Sequence, residues 1–87
     1  MLGTNEGCYV CGYPVTEVHH IFGGANRKIS DKYGFTVRLC HYHHNEPPDG
    51  AHFNREFDLK LKQWAQGIYE ETNTREEFIK EFGKSWL

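Results

Sequence analysis

Apolar residues at positions 53, 57, 61, 64, 65 and 68 recur every three or four places. That one-sided stripe predicts an amphipathic helix from Phe53 to about Tyr69. Beyond it, Thr74 with Glu77 three residues later forms a capping box, which predicts a last helix through Phe78, Ile79 and Phe82 that Gly83 closes. The aromatic positions of both helices are expected in the core. The first half lacks this period. Residues 15–22, Val-Thr-Glu-Val-His-His-Ile-Phe, are β-branched and aromatic enough for a strand, ended by Gly23-Gly24. Ser30 to Gly34 predicts one helical turn, Thr36–Leu39 a second short strand, and a helix is expected to start at or just after Cys40. The fold class is therefore α+β.

The composition changes near Pro47-Pro48-Asp49-Gly50, which reads as a turn, since neither half could bury a stable core alone. We expect one domain over residues 1–87, with a core at 6–52 and a helical extension at 53–87. In a chain of 87 residues apolar burial roughly cancels conformational entropy, at ~1.5 kcal/mol per ordered residue, and a staple is often needed. No internal repeat or low-complexity tract is present.

Three cysteines and six histidines are the candidates for that staple. An odd cysteine count cannot close into a complete set of intrachain disulfides, and the opening Met1-Leu2-Gly3-Thr4-Asn5-Glu6 has no apolar leader, so an exported disulfide scaffold is not expected. Cys8-Tyr9-Val10-Cys11 is a C-x-x-C, and Cys40-His41-Tyr42-His43 a C-x-x-H about thirty residues later. Together they offer the Cys3His set that suits tetrahedral zinc, because two ligands on one tight turn share a cation without strain and two such turns close the shell. A redox dithiol or buried unliganded thiols are the weaker alternatives, and His44 rivals His43 as the fourth ligand.

The net charge of −2 excludes a globally basic nucleic-acid binder, but the charge is unevenly spread. Residues 1–45 carry four Lys/Arg against three Asp/Glu; residues 46–87 carry six against nine. A polyanion would meet the first half, where Arg27, Lys28, Lys32 and Arg38 lie. No apolar run approaches the ~20 residues needed to cross a bilayer, so no membrane role is expected.

All six histidines fall between positions 19 and 52, a crowding that invites a second site beyond the zinc, although His19 and His20 taken as an isolated pair on a strand read more simply as one ring buried and hydrogen-bonded and the other exposed. Cys-x-x-Cys, then Val18-His19-His20-Ile21 with Gly23-Gly24, then Leu39-Cys40-x-x-His43-His44-Asn45 resembles the HNH endonucleases, the zinc-stapled branch of the ββα-metal (His-Me finger) nucleases. The likeness covers about residues 8–45. Its continuation through Gly50-Ala51-His52-Phe53-Asn54 is similar to small HNH proteins of phages and prophages.

The resemblance implies a zinc-stapled ββα-metal core followed by C-terminal helices. It makes His20 the general base, with His19 and His44 ligands of a catalytic Mg2+ or Mn2+, while zinc on Cys8, Cys11, Cys40 and His43 is structural. His52 has three open roles: third metal ligand, phosphate donor, or a packed cap on the long helix. Arg27 and Lys28, placed in a Gly-rich loop between the strands, are the candidate DNA-phosphate contacts. His41 is expected to be an exposed knuckle residue. The substrate implied is DNA, cut to 5′-phosphate and 3′-hydroxyl ends, in the cytoplasm of a bacterial host. The family's middle Asn is not evident in Gly34-Phe35-Thr36-Val37-Arg38, so Asn26 or Thr36 would have to supply its hydrogen bonds. The rival readings are a non-catalytic zinc module that binds DNA or a protein partner, and a single cluster using all the Cys and His side chains. The apolar face of residues 53–69 and the Trp86-Leu87 end could fold back on the core or pair with a second copy.

Overall fold

Two short strands, β1 (Glu17–His20) and β2 (Thr36–Leu39), pair antiparallel, with Glu17 opposite Leu39 and His20 opposite Thr36. Between them lie a 3-10 turn (Gly24–Asn26) and helix α1 (Arg27–Lys32). Helices α2 (His41–Asn45), α3 (Arg55–Tyr69) and α4 (Arg75–Phe82) follow. The computed structural model describes residues 1–3 and 6–87; Thr4 and Asn5, within the opening segment considered for an export signal, lie outside the described residues. The observed class is α+β, with a two-stranded sheet.

The core draws on both halves of the chain. Ile21 and Phe22, directly after β1, are buried together with Val37 and Leu39 of β2, Leu61, Ala65 and Tyr69 of α3, and Phe78 and Phe82 of α4. Phe22 is its centre, with ring centroids 4.6 Å from Phe82, 5.0 Å from Trp86 and 5.8 Å from Phe78. Burying each such ring contributes roughly 1.5–3 kcal/mol, so the late helices complete what the sheet alone could not. Trp86 folds back onto this cluster, whereas Leu87 is exposed. Ser30 of α1 sits within the core because its hydroxyl is satisfied, accepting from Phe22 N at 3.3 Å and donating to Phe35 O at 2.6 Å.

Local chemistry sets the helix ends. Asn54 accepts from Phe57 N at 3.0 Å and starts α3; Thr74 and Glu77 make both bonds of the capping box on α4, and Gly83 ends it at φ +92°. Several expectations are corrected here. The first strand is shorter than 15–22, since Val15 is exposed and Ile21 and Phe22 have already turned inward. The expected turn at 30–34 is a helix that begins at Arg27, so Arg27 and Lys28 stand on its first turn, not in a loop. The long helix starts at Arg55, and Phe53 lies outside it, exposed, not in the core.

The segment after Pro47-Pro48 runs back along α2. Gly50 N donates to Glu46 O at 2.7 Å, Ala51 N to His43 O at 2.8 Å and His52 N to His44 O at 3.3 Å. A Cβ on Gly50 would stand 2.7 Å from the backbone N and O of Glu46, so glycine permits this approach. The return brings His52 beside His44. No helix among the described residues is long and apolar enough to cross a membrane.

Candidate metal centres

The first knuckle is a tight turn. Gly12 N donates to Cys8 O at 2.8 Å and Cys8 N to Tyr13 O at 2.9 Å, with Gly12 at φ +78°. The second knuckle begins at Cys40, which precedes α2 and puts His43 on its first turn. Cys8 Sγ lies 3.8 Å from His43 Nδ1, Cys40 Sγ 3.2 Å from the same nitrogen, and Cys11 Sγ 3.7 Å from Cys40 Sγ. A tetrahedron of ~2.3 Å metal–sulfur bonds has sulfur–sulfur edges of about 3.8 Å, so the donor set fits zinc. All three cysteines are free thiols, and with His43 their donor atoms lie within 4.8 Å of one another. These four residues are close enough together to hold a metal such as zinc. Burial pushes the Cys8 thiol up, but backbone hydrogen bonds at Cys40, Cys11 and Val10 outweigh it and bring its pKa down to about 6. The thiolate that a metal needs is thus accessible near neutrality.

A second cluster joins His19, His44 and His52, again with donor nitrogens within 4.8 Å of one another. His44 faces this cluster, leaving His43 as the imidazole among the sulfurs. His19 is 3% exposed, and neither ring nitrogen has a hydrogen-bond partner among the described residues. Burial, then the neighbouring His44, His52, His20 and Lys62, holds its pKa down to about 4. A buried polar group without a partner costs about 1–3 kcal/mol, and a neutral imidazole has a lone pair to offer. His44 Nε2 and His52 Nε2 stand 3.1 Å apart. His52 is not the cap on α3, because Asn54 is.

Two carboxylates that sequence reasoning did not single out organise these histidines. Glu17 accepts from His44 Nδ1 at 2.8 Å, from His41 Nδ1 at 3.2 Å and from Asn45 Nδ2 at 3.0 Å. Those bonds to His44 first and His41 second hold the Glu17 carboxyl below its ordinary pKa. Glu17 and His19 are two residues apart on β1, the spacing that puts side chains on one face of a strand. That i, i+2 pairing was the available signal. Asp31 of α1 lies 2.7 Å, through Oδ1, from His20 Nε2. Neither Asn26 nor Thr36 orients His20 through its side chain. Asn26 instead donates to Phe82 O at 3.0 Å, and Thr36 is the buried strand partner of His20.

The histidines line a surface cleft with two arms of about 290 Å³ each. His19, His20 and His52 line both arms; Arg27 lines the arm beside His44, and Phe53, Arg55 and Lys62 line the other. Lys28 is exposed on α1 and does not line either arm. His41 is exposed, as expected, though paired with Glu17 and Glu46. Compared with protein-family models, curated proteins and solved structures, the chain gives no match.

Proposed function

We propose that the chain is a metal-dependent DNA endonuclease of the HNH type, with zinc on Cys8, Cys11, Cys40 and His43 as a structural staple. One observation carries the reading: His19 is buried with both nitrogens unpartnered among the described residues, in a three-histidine cluster lining an open cleft. Strands β1 and β2 and the short helix α2, with the 3-10 turn and α1 inserted between the strands, are the elements that a ββα-metal core would use. His19, His44 and His52 would hold the catalytic divalent ion. Three imidazoles without a carboxylate suit Mn2+ or a later first-row ion better than Mg2+, which prefers oxygen donors. When bound, such an ion supplies charge stabilisation to the phosphate and the leaving 3′-oxygen.

The residues around the cluster divide the remaining work. With its Nε2 hydrogen directed to Asp31, His20 keeps Nδ1 as the nitrogen that accepts a proton from the attacking water. Glu17 takes the Nδ1 hydrogen of His44 and leaves Nε2 free to ligate. Arg27, at the mouth of one arm, binds the DNA phosphate. Water, base and phosphate then meet in one cleft.

The test is plasmid nicking with Mg2+, Mn2+ or chelator, comparing the parent with His20→Ala at matched zinc content. Loss of a general base should lower the rate on the order of 10²- to 10⁴-fold. If both proteins are inert, or both cut equally, the reading fails. The second reading, a non-catalytic zinc module, is favoured by the acidic excess of residues 46–87 and takes the outcome in which both are inert.

A further inference from the structure

In the arm of the cleft away from Arg27, the residues beyond the histidines play no part in the proposed chemistry. It begins at His20 and His52 and ends on Phe53, Arg55 and Lys62. Phe53 is 58% exposed although it borders the histidines, and it belongs neither to the core nor to α3. Water against an aromatic ring is unfavourable, so an exposed ring at the edge of a polar cleft is a surface a ligand can cover. Arg55, two residues on, has no ion-pair or hydrogen-bond partner among its side-chain neighbours in the described residues. The other charges of this arm neutralise each other, since Lys62 Nζ lies 2.8 Å from Asp58 Oδ2. An unpaired guanidinium is thus left beside an unpaired ring. Arg27 lines the other arm, so a strand running through both arms would meet one such cation in each.

We propose that Phe53 and Arg55 form a subsite for one unpaired nucleotide next to the scissile phosphate, its base on the Phe53 ring and its phosphate on the Arg55 guanidinium. The proposal rests on the nuclease reading and adds the form of the substrate. In a duplex both faces of each base are occupied by neighbouring bases; an unpaired base has a free face. Stacking on an aromatic side chain is tolerant of base identity because every base has a π-face. Guanidinium binding of phosphate is likewise independent of sequence. The subsite therefore selects single-stranded or frayed DNA without selecting a sequence.

The experiment measures binding separately from cutting. Zinc-loaded His20→Ala protein is titrated, with fluorescence anisotropy as readout, into a labelled oligothymidine single strand and into a duplex of the same length. The single strand should bind several-fold more tightly. Phe53→Ala should weaken single-strand binding by about tenfold and leave duplex binding nearly unchanged, while Phe53→Trp retains it. Phe53→Leu, which keeps the apolar volume and removes the ring, should behave like Phe53→Ala. Arg55→Ala should reduce the salt dependence of single-strand binding by about one phosphate contact. Equal binding of both DNA forms, or unchanged single-strand affinity in Phe53→Ala, overturns the subsite and leaves the nuclease reading standing. Failure of every oligonucleotide to bind overturns both.

Discussion

Glu17 Oε1 stands 2.8 Å from His44 Nδ1, so the strand that carries His19 also fixes the ring that His19 faces. The carboxylate selects the tautomer with hydrogen on Nδ1 and stops the ring from turning. Glu17→Gln should lower the affinity of the histidine cluster for Mn2+ or Co2+ by about 10- to 100-fold, the usual cost of losing such a partner. Calorimetric titration of zinc-loaded protein measures this, with zinc content at the cysteine site expected to stay unchanged. Unaltered affinity would mean that Glu17 serves only to anchor His41 and Asn45.

Zinc removal should unfold the chain. Structural zinc contributes roughly 10–16 kcal/mol in small zinc domains, more than the net stability of a chain this size. Tyr9 in the first knuckle stacks on Trp64 of α3 with ring centroids 5.0 Å apart, so collapse of the knuckle should expose that indole. The expected result is one tightly bound zinc per chain and a red-shifted tryptophan emission with loss of helix on chelation. Protein that remains folded and free of zinc would contradict it.

On the nuclease reading proposed above, Asp31 should matter to cutting and little to folding. Its side chain is 60% exposed and bonds His20 Nε2, so Asp31→Asn keeps the shape and gives up the negative acceptor. We expect nicking to fall on the order of ten- to a hundredfold, with little change in melting temperature or metal content. A variant as active as the parent would place the orientation of His20 elsewhere.

A pH-dependent contribution to stability is expected at the end of α4. Glu81 accepts from Tyr33 Oη at 2.5 Å and from Tyr69 Oη at 2.8 Å. Those bonds, Tyr33 first, hold its carboxyl below the ordinary value of 4.5, while burial and then Glu81 raise the Tyr69 phenol. A carboxyl lowered by folding stabilises above its unfolded pKa, and this is lost as pH falls through the folded value. Glu81→Gln should therefore cost about 1–2 kcal/mol at pH 7. Urea melts should give a gap between parent and variant that is flat from pH 7 to about 5.5 and narrows below that.

What the sequence made legible was local. The two knuckles, the capping box at Thr74 and Glu77 and the stripe Phe57, Leu61, Trp64, Ala65 and Ile68 each lie within a few turns of backbone, and the structure has each of them. Phe53 fits the same stripe, four places before Phe57, yet it is exposed because Asn54 caps the helix after it. The sequence leaves three roles open for His52 because its position depends on the chain's return along α2, which apolar spacing does not encode. Asp31 and Glu17 were missed since their partners are 11 and 27 residues away. Strand spacing could have exposed Glu17; nothing local marked Asp31.

His43 and His44 are consecutive on α2, one turned to the sulfurs and the other to the histidine cluster, and the chain's return bonds to both of their carbonyls. The two candidate centres therefore share one turn of backbone, and on the two-metal reading proposed above their loading would have a direction. Zinc at the cysteines would build the wall against which the proposed second ion is seated, whereas that ion would have no thiolate with which to nucleate the first. A cell's zinc supply would decide whether the other metal has a place to bind.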